Sequence, residues 1–78
     1  MIHPLHTKVP GRARFKVDGL RGSEALKRFL ESHLNARPKL LSASANSVTG
    51  NILLHFSADL DFRDAADLLA AFVGHAHS

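Results

Sequence analysis

Apolar and polar positions alternate without a break from Arg12 to Val17. Ala13, Phe15 and Val17 fall on one side of the chain, and Arg12, Arg14 and Lys16 on the other. Period two over β-compatible residues predicts a strand with one buried and one cationic face. The period then lengthens. Leu26, Phe29, Leu30 and Leu34 recur at helical spacing behind Ser23, a good N-cap, and Glu24, an acid suited to a first turn. Pro38 predicts the end of this helix at about Arg37. A second strand is expected from about Lys39 to Ala45, a turn over Asn46 to Gly50, and a third strand over Asn51 to Phe56. In that third strand Ile52, Leu54 and Phe56 are set towards the core, and Leu53 and His55 away from it. Phe62, Ala65, Leu69 and Phe72, with Leu68 and Val73, form a second helical stripe behind Asp61, its expected N-cap. Gly74 is expected to stop this helix.

Ahead of the alternating strand, residues 2–9 read as extended, with Pro4 opposing a helix. Val9-Pro10-Gly11-Arg12 fits a type II turn: proline presets the first corner and glycine takes the positive φ of the second.

The resulting order is β-α-β-β-α. Right-handed crossover places both helices on one sheet face. The other face then carries Arg12, Arg14, Lys16, Ser42, Ser44, Leu53 and His55. The expected organisation is an extended segment over 1–8, one domain over 9–74 and a frayed tail over 75–78.

Composition narrows the chemistry. With 78 residues and no cysteine, one small domain is expected, without disulfides or thiolate metal ligands. No apolar run approaches membrane-spanning length, and His3, Pro4 and His6 interrupt any signal-peptide pattern, so a cytoplasmic location is expected. A formal charge of +3 favours acidic partners mildly.

Ala43-Ser44-Ala45-Asn46-Ser47-Val48-Thr49-Gly50-Asn51-Ile52-Leu53-Leu54-His55-Phe56 resembles the second and third strands of heavy-metal-associated (HMA) domains, where a Val-x-Val-Asn-x-x-Thr-Gly-x-Val-x-Val-x-Tyr pattern occurs. Val9-Pro10-Gly11-Arg12-Ala13-Arg14-Phe15 resembles the Pro-Gly-Arg-x-Arg opening of a cysteine-poor HMA-like branch. That branch occurs at the N-termini of bacterial metal-transporting P-type ATPases and in small companion proteins, some of them associated with iron-storing ferrosomes. The resemblance spans roughly residues 8–73. It implies an α+β ferredoxin-like sandwich and a role beside a P-type ATPase or another metal-transport protein, at the membrane through that partner. The HMA metal loop would lie between Val17 and the first helix. Here that loop reads Asp18-Gly19-Leu20-Arg21-Gly22-Ser23, without ligand cysteines, so the family's metal-ligand roles transfer to no residue.

An HMA domain has a fourth strand pairing with its first, and this chain ends after the second helix. The fourth strand is therefore missing, or replaced by the N-terminal segment or by a partner chain. Strand 12–17 would be an open edge, which favours a homodimer through it or an exchanged N-terminal segment.

Arg12, Arg14 and Lys16, with His55, form the leading partner-binding group: cations at alternate positions can hold carboxylates or phosphates. Their plainer reading is a solvated face that discourages aggregation. His55 is placed beside Arg14 as a pH-sensing residue. His3, His6, His75 and His77 are weak metal candidates, for Cu(II) or Ni(II) through the Met1-Ile2-His3 terminus, or for a Zn or Fe ion if the termini meet. No resident cofactor is expected. Gly19 to Ser23 opens a helix and could hold an anion, although a capped flexible loop explains it as well. No nucleophile elbow or paired carboxylate suggests catalysis. The functions in contention are a non-catalytic HMA-like docking or assembly module, a histidine-based metal accessory, a basic nucleic-acid module and a purely structural domain. Nucleic-acid stacking is disfavoured because Phe15 and Phe56 alternate onto the covered side and no tyrosine or tryptophan is present.

Overall fold

In a computed structural model, which describes residues 2–76 and side chains over 2–74, the alternating segment forms a strand with Ala13, Phe15 and Val17 buried and Arg12 and Lys16 exposed. The elements are β1 (Ile2–His6), β2 (Arg12–Val17), α1 (Glu24–Asn35), β3 (Leu40–Asn46), β4 (Asn51–Phe56) and α2 (Phe62–Ala76). The strands make one antiparallel sheet in the order β1-β2-β4-β3. Both helices lie on one side of it. Leu26, Leu30 and Leu34 of α1 and Ala65, Leu69 and Val73 of α2 join the inward residues of β2, β3 and β4 in a single core. Each large apolar side chain fully removed from water there contributes about 1.5–3 kcal/mol before entropy is set against it.

The caps follow the sequence. Ser23 Oγ accepts from the Leu26 N–H at 3.1 Å. Asp61 Oδ1 accepts from the N–H groups of Arg63 and Asp64 at 2.8 and 3.1 Å, and Asp64 Oδ2 accepts from the Asp61 N–H, closing a reciprocal cap. α1 stops at Asn35, ahead of Pro38. Helix α2, in contrast, does not stop at Gly74 but runs on to Ala76. Gly74 is not among the glycines with positive φ, so no left-handed turn ends the helix there.

Of the three ways considered to complete the sheet, the structure takes replacement by the N-terminal segment. Residues 2–6 pair with β2, with Ile2 opposite Val17, His3 opposite Lys16 and Pro4 opposite Phe15. The turn that returns the chain is the expected one, since the Arg12 N–H donates to Val9 O at 3.2 Å and Gly11 has φ 77°. The connection is longer than a two-residue hairpin, which relieves the mismatch of twist that a type II turn would otherwise impose. Space favours glycine there as well: a Cβ at position 11 would make a tight 3.2 Å contact with Phe56 O. β2 is therefore an interior strand, flanked by β1 and β4, and the homodimer expected through Arg12–Val17 has no free edge to use.

The two edge strands that remain are both modified. The Val17 N–H donates to Gly50 O on the β4 side, so alternation turns the backbone of Phe15 the same way. Pro4, opposite Phe15, consequently turns its N and C=O outward, where the missing N–H falls on the free edge. A bulge follows at Leu5. At the far edge a second bulge sits at Leu41, and three outward groups of β3 are taken by α1. The Ala43 N–H donates to Asn35 Oδ1 at 2.8 Å, Asn35 Nδ2 donates to Ala43 O at 3.3 Å, and the Ala45 N–H donates to Glu31 Oε2 at 2.9 Å. No helix among the described residues is long and apolar enough to cross a membrane.

Candidate functional site

Residues directly opposite in an antiparallel sheet share a face. The registers therefore lay the uncovered face out in three rows. Arg12, His55 and Ser42 form the first; His6, Arg14, Leu53 and Ser44 the second; His3, Lys16, Asn51 and Asn46 the third. β2 supplies the permanent cations at the centre, each beside a histidine. β3 supplies neutral hydroxyls and an amide. His55 lies opposite Arg12, not beside Arg14 as expected, and its Nδ1 is 3.1 Å from Ser42 Oγ.

The electrostatics of this face come from segregation along the chain. None of the 7 acidic residues lies in a strand. Their pairings are made elsewhere: Lys27 with Glu31 at 3.5 Å along α1, and Lys39 with Asp59 at 2.8 Å beside the start of β3. The Lys39 ammonium, then the Ser57 hydroxyl, hold the Asp59 carboxyl down to about 2, and the same contact raises Lys39. At the rim, His3 Nε2 lies 3.5 Å from Asp18 Oδ2. Arg12, Arg14 and Lys16 make no ion pair among the described residues, so their charge is directed to solvent.

Two shallow hollows adjoin on this face and share Arg14 and Leu53. One, of about 200 Å³, is lined also by His6, Val9 and Arg12. The other, of about 290 Å³, is lined also by Ser44, Asn46, Thr49 and Asn51. This second hollow was not singled out from the sequence. Its residues come from β2, β3, β4 and the Asn46–Gly50 turn, and only the register joins them.

The Asp18–Ser23 loop, read from the sequence as a possible anion site, is closed. Leu20 is wholly buried, the N–H groups of Leu20, Gly22 and Ser23 donate to Val17 O, Ser47 O and Leu20 O, and Ser47 Oγ donates to Glu24. Those donors are not free for the anion considered for this loop. No group of three or more histidine or acidic side chains that could hold a metal ion occurs among the described residues. His3 and His6 lie in different rows, the side chain of His75 and all of His77 lie outside the described residues, and His33 sits on α1 with its ring 4.2 Å from that of Phe29. Phe15 and Phe56 are buried in the core, so neither ring is available on the uncovered face for base stacking.

No family model, curated protein or solved structure matches this chain significantly.

Proposed function

We propose that this chain is a non-catalytic HMA-like module of ferredoxin-like plan, in which β1 takes the position of the family's last strand. It docks onto an acidic surface of a metal-transport protein such as a P-type ATPase. Arg12, Arg14 and Lys16 make the contact, and His55 lies at the edge of the same group. The observation that carries the reading is the uncovered face itself: permanent cations in the centre of a rigid sheet, with every acid of the chain placed outside the strands. Guanidinium groups held at fixed spacing suit bidentate pairing with carboxylates. The link to metal transport rests on the Pro-Gly-Arg-x-Arg and Asn-x-x-Thr-Gly likeness, with no thiolate chemistry behind it.

Retention of the cytoplasmic segments of a metal-transporting ATPase from the same cell, on immobilised chain, tests both parts. Binding is expected at low salt and is expected to fall steeply by about 0.3 M, as screening shortens the reach of surface charge. The triple charge reversal Arg12→Glu, Arg14→Glu, Lys16→Glu should abolish it. Binding that survives the reversal removes the sheet face as the dock, whereas an ATPase that never binds removes the metal-transport assignment.

A further inference from the structure

The hollow at the β3 side of Arg14 differs in chemistry from the cationic rows beside it. Asn46 Oδ1 is already committed: it accepts from the Val48 N–H at 2.8 Å and the Thr49 N–H at 3.3 Å. The amide group of Asn46 is thereby fixed with its Nδ2 end, a pure donor, left over. Thr49 Oγ1 accepts from the Asn51 N–H at 3.3 Å, which leaves its O–H proton to give. Ser44, Asn51 and Arg14 have no side-chain hydrogen bond among the described residues. Arg14 is half-buried, with its stem against the sheet. The lining is therefore rich in donors, carries one fixed positive charge and has no carboxylate.

A metal ion or organic cation has nothing there to neutralise it. A neutral ligand would leave the guanidinium unmatched. A carboxylate, with two oxygens in one plane, is satisfied by Arg14 alone and leaves the hydroxyl and amide donors unused. A phosphoryl group presents three oxygens in a tetrahedral spread, and can take a bidentate contact from Arg14 while Ser44, Asn46 and Thr49 meet the remaining oxygen from the other side. The adjoining hollow, with Leu53 and Val9 in its lining, offers apolar surface to whatever the phosphate is attached to. We infer that the Arg14–Ser44–Asn46–Thr49 hollow is a binding site for a small organic phosphate, with the phosphoryl group on Arg14 and the organic part over Leu53.

The inference shares Arg14 with the docking reading but is tested separately from it, because the isolated chain suffices. Inorganic phosphate and phenyl phosphate are titrated into labelled protein at constant ionic strength, and backbone amide shifts are followed, with sodium acetate as the control. Saturable shifts are expected at Ser44, Asn46, Thr49 and Asn51, with phenyl phosphate binding about fivefold more tightly through the area its ring buries. Arg14→Gln should weaken binding about tenfold or more, the loss of a bidentate charged contact. Ser44→Ala should cost about threefold, while Arg28→Gln, an exposed cation on α1 away from the hollow, should change it by less than about twofold. All three replacements are of exposed or half-buried side chains, and an unchanged melting curve shows that each variant is folded. The site is refuted if acetate gives the same shifts as phosphate, if Arg14→Gln and Arg28→Gln weaken binding equally, or if no amide around the hollow responds.

Discussion

The two edges of this sheet are closed in different ways, and the difference shows how a domain of this size can protect a strand by filling its edge or by spoiling it. At β3 three outward backbone groups are occupied from within: Asn35 pairs with Ala43 through both its amide ends, and Glu31 takes the Ala45 N–H. A side-chain amide is the nearest chemical equivalent of another strand, so this edge is sealed by a helix standing in for a neighbour. At β1 no such cover is made among the described residues. Pro4 removes a donor and the bulge at Leu5 breaks the register, which spoils the edge as a template without occupying it. One edge is filled, the other is made unattractive, and the face between them is left uncovered by the described residues.

The severest way to break this comparison is to delete residues 2–6. β2 then becomes an edge with an unbroken run of ladder groups, and Ile2 no longer covers the core. Loss of cooperative folding, or a dimer in sedimentation velocity, is the expected result; an unchanged monomer of unchanged stability would mean that β1 contributes little to the sheet. Next comes Asn35→Ala. It strands the N–H and C=O of Ala43, and denaturant unfolding should show a loss of about 1–3 kcal/mol. Concentration-dependent association should appear at the same time, and should be weaker in Glu31→Ala, which strands one group only. Pro4→Thr sharpens the contrast from the other side. Stability should stay within about 0.5 kcal/mol, because the change is on an exposed edge. The restored donor should nevertheless raise association detectably at high concentration. The smallest effect is in pH. Asp59 is held below its ordinary value of 3.8, so its contribution is fully present above that value and is lost as pH falls towards 2. Lys39 is raised, so its share persists below 10.5 and is lost only at higher pH, as the raised value is passed. Unfolding midpoints at pH 5 and pH 2 should therefore differ slightly more for the natural chain than for Lys39→Met.

The helices, their caps and three of the strands are legible in the sequence because each is written in local signals: alternation over Arg12–Val17, the leucine stripe of α1, Ser23 and Asp61 as caps, and the Asn46–Gly50 turn. β1 is not legible. Its five residues include Pro4 and two histidines, its only inward anchor of any size is Ile2, and what makes it a strand is the unpaired side of β2. The neighbours of His55 are hidden for a related reason, since alternation assigns a residue to a face and cannot say which residue stands opposite. The Leu41 bulge then shifts the β3 pairing by one more position. The edge-sealing contacts from Asn35 and Glu31 depend on where α1 crosses the sheet, and nothing in either residue's surroundings along the chain announces it. Gly74 misleads in the opposite direction, as a stop signal at a place where the helix simply continues.

The order β1-β2-β4-β3 also has a kinetic side. β1 with β2, and β3 with β4, are hairpins of neighbouring segments that can zip on a microsecond scale. Only the seam between β2 and β4 joins distant parts of the chain, and its formation must wait until α1 has brought the two hairpins together. The slow step of folding therefore lies along the line Ala13–Leu54 and Phe15–Ile52, and mutational φ-values should be highest there and fall away towards both edges. The seam that sets the pace is also the one on which Arg12, Arg14, Leu53 and His55 meet, so the uncovered surface comes into being with the last barrier crossed.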